Sequence, residues 1–228
     1  SNTQNSNLYR KTREYYVGQL DIETITADID FLTDGENEDN YCGWFDLDRF
    51  KNHIRELFSK NDRDGFYSWN GLRYFLYEYE LFLQDNANIK VVWEDFNKRK
   101  KEDTIEHIYP QSPTDSYWRS RFGHLKPTEK RQYLNSLGNL LLLSRSKNAK
   151  LQNYDFDKKK RLVNKDGKEI GYYNGSYSEI AVAKQKEWTP MEIKERGLLM
   201  LQFMENRWKF SFDDWGISKE EILFPMQN

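Results

Sequence analysis

The sequence predicts a mostly helical α+β protein, and three features predict it. Apolar residues recur at helical spacing in several stretches. Two short segments between Thr104 and Leu143 instead alternate or run together as strands do. Aromatic residues make up 16% of a chain that is only 37% hydrophobic, with seven Trp and fifteen Tyr. Disordered chains are poor in such residues, so the 228 residues are read as folded, with an aromatic-packed core under a very polar surface.

Residues 1–7 are polar and read as a frayed start. Mixed apolar spacing over 8–32 suggests helix, and the acidic run 34–40 reads as a loop that would repel a polyanion. Phe45, Leu47, Phe50, Ile54, Leu57 and Phe58 predict an amphipathic helix over 46–60, with His53 on its surface. Asn61-Asp62-Arg63-Asp64-Gly65 resembles part of a calcium loop but lacks the bidentate Glu, so it is read as a turn. The clearest early helix is 69–84. Leu72, Phe75, Leu76, Tyr79 and Leu83 form its core stripe, and Arg73, Glu78 and Glu80 lie off it toward solvent. Val91-Val92-Trp93 begins an extended run that leads into Lys98-Arg99-Lys100-Lys101.

From Thr104 to Gln111, alternation predicts a short strand that Pro110 stops. Residues 112–132 read as a polar connection in which Tyr117, Trp118 and Phe122 interleave with Arg119 and Arg121, either a satellite core or a nucleic-acid surface. His124 falls in this loop. Residues 137–143 read as a buried second strand, although four successive leucines also suit a helix. Lys147 opens a helix running on toward Phe156 and Lys158-Lys159-Lys160-Arg161, with Asn148 near its N-terminal end. Lys165-Asp166-Gly167-Lys168 signals a small hairpin, and 178–186 looks helical. Thr189-Pro190-Met191-Glu192 is a capping box that opens a helix to about Trp208, with Ile193, Met200, Phe203, Met204 and Trp208 as its packing face. The remaining tail is expected to fold back on the helices. These elements group as a helical N-terminal region (1–95), a strand, strand and helix core (96–165), and a C-terminal helical region (166–228).

The net charge of -2 hides an uneven distribution. Residues 1–95 hold 10 basic and 19 acidic residues, 96–165 hold 17 and 7, and 166–228 hold 8 and 11. The basic surplus therefore falls on the middle segment, as an electrostatic footprint for phosphates would. Lone Cys42 allows no internal disulfide and no four-thiolate zinc site, so structural zinc is not expected, and it fits a reducing cytoplasm. No run approaches the ~20 apolar residues of a membrane helix, and no cationic leader precedes an apolar segment. The Ser1-Asn2 start, without an initiator Met, reads as the cut end of a longer chain.

The middle segment also carries the chemistry. Glu106-His107-Ile108-Tyr109-Pro110-Gln111, then Gly138-Asn139-Leu140, then Asn148 nine residues after Asn139, is similar to the signature of HNH (ββα-metal) nucleases. More narrowly it resembles the HNH domain that follows a ParB-like NTPase domain in modification-dependent restriction endonucleases of the GmrSD type. The core of the likeness covers 104–161 and a looser one extends toward Trp208.

The resemblance implies a ββα-metal core flanked by N- and C-terminal helices. It implies His107 as general base, Glu106 and Asn148 as ligands of Mg²⁺ or Mn²⁺, and Asn139 as an amide brace between the strands with a structural-catalytic role. Lys98, Arg99, Lys100, Lys147, Lys150, Lys159 and Lys160 are candidate phosphate contacts on charge alone. Implied partners are DNA, modified in some way, and a ParB-like NTPase domain in the same chain or a partner; no membrane is implied. Products would carry 5′-phosphate and 3′-hydroxyl ends. Glu106 and Asn148 stand where many HNH proteins have Asp and His. The readings that compete are a catalytically degenerate DNA-binding or docking module and an RNA nuclease.

Overall fold

Among the described residues two antiparallel strands form one small sheet, with helices before, between and after them in the chain. In this computed structural model residues 47–59, 64–84, 97–98 and 101–226 are described. The helix expected over 8–32, the acidic loop 34–40, the run from Val91, and Arg99 and Lys100 lie outside them. Strand β1 (Asp103–His107) pairs with β2 (Leu140–Ser144), His107 opposite Leu140 and Asp103 opposite Ser144. Opposed residues share a face, so Thr104 and Glu106 lie with Leu141 and Leu143, and Ile105 and His107 lie with Leu140 and Leu142.

Before β1 come helix α1 (Leu47–Ser59), a 3-10 turn (Gly65–Ser68) and α2 (Leu72–Leu83). His53 is exposed, as the periodicity predicts. The α2 stripe Leu72, Phe75, Leu76 and Tyr79 is buried. Glu78 and Glu80 are buried too, which corrects their solvent-facing assignment, because each has found a long-range partner. Glu78 pairs with Arg207 at 2.7 Å, and Glu80 accepts from the backbone N–H groups of Tyr177 and Ser178, both at 2.8 Å. A carboxylate there satisfies orphan donors at a helix start. Helix α2 belongs to the same compact unit, Lys51–Asn228, as the strands.

Residues 112–132, expected as a connection, fold mainly as helices α3 (Ser116–Phe122) and α4 (Pro127–Asn135), opened by Asp115 and Pro127. Trp118 and Phe122 belong to the main core with Leu141, Leu143, Phe156, Tyr172 and Trp188, not to a satellite. After β2 the expected single helix is two, α5 (Arg145–Leu151) and α6 (Phe156–Arg161). Gln152 takes a left-handed φ of 46° between them, and Asp155 caps the second. A bridge between Val163 and Glu169 forms the small hairpin around Gly167. Then follow α7 (Tyr177–Ala183), α8 (Pro190–Trp208) and α9 (Lys219–Leu223). The Thr189 capping box is present as the sequence predicts, and Ile222, Leu223 and Phe224 of the tail are buried.

Close packing seats the turn before β2 directly on α8. A Cβ at Gly138 would stand 1.9 Å from the Ile193 carbonyl oxygen and 2.8 Å from the Gly197 nitrogen, backbone atoms that cannot swing aside. Gly138→Ala should therefore lower the free energy of urea unfolding by about 3 kcal/mol or more, through overpacking. Gly167→Ala, at φ +75° with nothing within 4 Å, should cost only about 1–2 kcal/mol of conformational strain. Equal losses at the two sites would contradict this packing.

Candidate active site

Glu106 and His107 are consecutive on β1, so their side chains leave opposite faces of the strand. Glu106 points into the core. Its Oε1 is 2.6 Å from Nζ of Lys159 on α6 and accepts from the Tyr172 hydroxyl at 3.3 Å. Lys159 is 0% exposed, and its Nζ also donates to the carbonyl oxygens of His107 (3.2 Å) and Ile108 (3.1 Å). Burial pushes the Glu106 carboxyl up and the Lys159 ammonium down, and their mutual contact opposes both shifts. Burial, followed by the Glu106 charge, holds Tyr172 well above its ordinary value, so the phenol stays a donor. The donors around the carboxylate oxygen and the acceptors around the ammonium favour the ion pair and oppose the effect of burial.

On the other face His107 is nearly buried, between the Asn135 amide and the Tyr67 ring. Its Nε2 lies 3.3 Å from Asn135 Oδ1, and the two ring centroids are 4.6 Å apart. Desolvation lowers its pKa to about 4, with the Asn135 contact acting in the opposite direction. The imidazole is therefore neutral at pH 7.

Asn139, completely buried, ties this region together. Its Oδ1 accepts from the Tyr109 backbone N–H (2.8 Å) and from Trp188 Nε1 (3.1 Å). Its Nδ2 donates to the carbonyls of Tyr109 (3.0 Å) and Leu134 (2.9 Å), and its own carbonyl accepts from Ile108 N–H. The amide thus fixes the chain leaving β1 against the turn entering β2. Asn148, the fourth residue of α5, donates Nδ2 to Thr104 Oγ1 at 2.9 Å, on the Glu106 face of the strand.

The described residues hold no group of three or more His, Cys, Asp or Glu able to cage a metal. What the Glu106 face offers is one carboxylate and one amide oxygen, since the Asn148 nitrogen is committed to Thr104. Such an all-oxygen pair fits a hard divalent cation that keeps most of its water. That cation would share the carboxylate with Lys159.

Two of the candidate phosphate contacts require correction. Lys159 is internal, and Lys160, 7% exposed, donates to the Gln185 and Lys186 carbonyls and pairs with Asp157. Neither can meet a phosphate without leaving these partners. Lys147 is engaged with Glu179 and the Asn174 carbonyl. Lys98, Lys101 and Lys150 are exposed, as are Arg145 and Lys158, which the sequence does not single out. Arg145 reaches the Lys101 carbonyl at 3.4 Å, joining the two clusters. His124 is exposed and distant from these contacts in sequence. Asn135, Tyr67 and Tyr172 were also missed, and no spacing in the sequence marks them. Only the fold brings them to β1.

The family model for the C-terminal domain of GmrSD restriction endonucleases matches residues 46–203. That span runs from the start of α1 through both strands to most of α8. Among curated proteins and solved structures nothing matches significantly.

The burial of His107 has a consequence for stability. The unfolded chain takes up its proton near the ordinary 6.5, the folded chain only near 4. Stability from a neutral His107 is therefore complete above about pH 6.5 and lost as pH falls through that window, by about 3 kcal/mol in all. In chelator-containing buffer, urea unfolding of wild type and His107→Asn should converge or cross by this amount between pH 7 and pH 4. Parallel pH profiles would contradict the neutral, buried imidazole.

Proposed function

We propose that this chain, which belongs to the family of GmrSD restriction endonuclease C-terminal domains, acts as a metal-dependent DNA endonuclease of the HNH type. Family membership makes it a nuclease of the restriction-endonuclease kind, with DNA as the substrate class. The finer reading is carried by one observation: a neutral His107 and an oxygen pair, Glu106 and Asn148, on two faces of the same short strand.

In this reading the His107 imidazole takes a proton from water as the oxygen attacks phosphorus in line. Glu106 and Asn148 would hold Mg²⁺ or Mn²⁺, which supplies charge neutralisation for the phosphorane-like transition state and the departing oxygen. Asn139 keeps the Ile108–Tyr109 backbone in place, so that His107 is presented in a fixed position. Lys159 offsets the burial of the Glu106 carboxylate and anchors the carbonyls of the next two residues, His107 and Ile108. Exposed Lys98, Lys101, Arg145, Lys150 and Lys158 would take up the phosphate backbone without reading sequence.

By family, we further propose modified DNA as the natural substrate, a ParB-like NTPase domain as specificity module, and a role in phage defence inside the bacterial cytoplasm. No helix among the described residues is long and apolar enough to cross a membrane.

A non-catalytic DNA-binding module is the competing reading, favoured by the fact that Glu106 already has a cation in Lys159. Plasmid nicking with Mg²⁺, Mn²⁺ or chelator separates the two. Wild type should cut only with metal, and His107→Ala should cut about 10²–10⁴-fold more slowly with unchanged DNA binding. Asn148→Ala should need at least about tenfold more metal for half-maximal rate. Equal cutting by wild type and His107→Ala would remove His107 from the mechanism. DNA binding with no cutting, on modified and unmodified DNA and with the NTPase domain supplied, would favour the binding module.

A further inference from the structure

A general base must offer one particular lone pair in one particular direction, and a free imidazole does neither. A neutral ring has two tautomers and can flip about its Cβ–Cγ bond, so four presentations compete. At His107 the surroundings select among them. Its Nε2 lies 3.3 Å from Asn135 Oδ1, and Asn135 is 2% exposed. An amide oxygen can only accept, so the hydrogen of this contact must sit on Nε2. Nδ1 is then left with its lone pair. The Tyr67 ring lies against the imidazole at 4.6 Å between centroids and 44° between planes, which opposes the flip.

Both partners are themselves held. Asn135 ends α4, immediately before the turn that Asn139 locks to the β1 exit. Tyr67 belongs to the 3-10 turn opened by Gly65, whose φ of +51° suits glycine. A Cβ at Gly65 would stand 2.9 Å from Asn135 Cβ and 2.5 Å from Phe58 Cε1, so the turn presses directly on the asparagine. The clamp on His107 is therefore built from two separate elements. A neutral amide also has an advantage over a carboxylate here, since it orients the ring without adding a negative charge that would favour imidazolium before substrate arrives.

We propose that Asn135 is a positioning residue for His107, its amide oxygen holding the ring as the Nε2–H tautomer and so making Nδ1 the atom that accepts the proton. This rests on the reading of His107 as general base. In the step itself a water O–H bond breaks and an Nδ1–H bond forms. The resulting imidazolium keeps its Nε2–H donated to Asn135, so the contact persists while the ring gains its charge.

The test uses the full chain, labelled with ¹⁵N-histidine and free of metal, together with plasmid cleavage under metal. Wild type and Asn135→Asp, which keeps an acceptor oxygen, compared at alkaline pH where the ring stays neutral despite the added charge, should show a protonated Nε2 and an unprotonated Nδ1 at His107, the signal being assigned by its loss in His107→Ala. Asn135→Leu, which keeps the volume and removes the acceptor, should show mixed tautomers. It should also lose about 10–100-fold in kcat, with KM little changed. Asn135→Asp should restore the tautomer and most of kcat. Should Asn135→Leu fail to fold, the wild-type tautomer decides. A proton on Nδ1 in wild type would overturn the proposal, as would wild-type cleavage by a folded Asn135→Leu alongside an inactive His107→Ala. Wild-type cleavage by His107→Ala would instead overturn the general-base reading, and the proposal with it, whatever the tautomer.

Discussion

The rest of the structure depends on one buried ion pair. Glu106 from β1 and Lys159 from α6 meet at 2.6 Å inside the core, where either charge alone would be strongly unfavourable. Each therefore obliges the other to be present. The ammonium does more than neutralise the carboxylate, because it also gathers the His107 and Ile108 carbonyls. The end of β1 is thereby fixed at its backbone from one side, while Tyr172 closes the remaining approach to Glu106 Oε1. A strand of five residues paired with only one neighbour among the described residues would otherwise be a weak platform for chemistry.

Asn139 completes that platform from the opposite direction. Four side-chain hydrogen bonds spend both ends of its amide on Tyr109, Leu134 and Trp188. The turn that delivers it can lie flat on α8 because Gly138 leaves the backbones free to approach. Arg196, from the same helix, donates to the Gly138 (2.7 Å) and Leu140 (2.9 Å) carbonyls and seals the contact. Helix α8 thus acts on the site at a distance, through the position of one asparagine. Catalytic positioning and core packing are here the same set of contacts.

Much of this was legible in the sequence, for reasons that are local. The α2 stripe and the Thr189 capping box are written in spacings of three and four residues, and the alternation around His107 is written in spacings of two. The family match over residues 46–203 agrees with the resemblance drawn from Glu106-His107, Gly138-Asn139 and Asn148. What escaped is what depends on distant partners. Lys159 and Lys160 sit in a run of four cations whose charge reads as phosphate contacts, yet Asp155 caps a short helix that turns both inward. Glu78 and Glu80 lie off an apolar stripe and still end up buried, because Arg207 and the start of α7 reach them from over 90 residues away. Asn135 and Tyr67 leave no local pattern, since their only shared feature is His107.

A double-mutant cycle on Glu106 and Lys159, read as urea unfolding free energies at neutral pH, tests this arrangement most directly. Glu106→Gln and Lys159→Met should each cost about 3–5 kcal/mol, since each strands a buried charge. The double variant should cost less than the two together by at least about 2 kcal/mol, because it removes both charges at once. Additive losses would mean that the two side chains do not depend on each other, and that the β1 platform is held by something else.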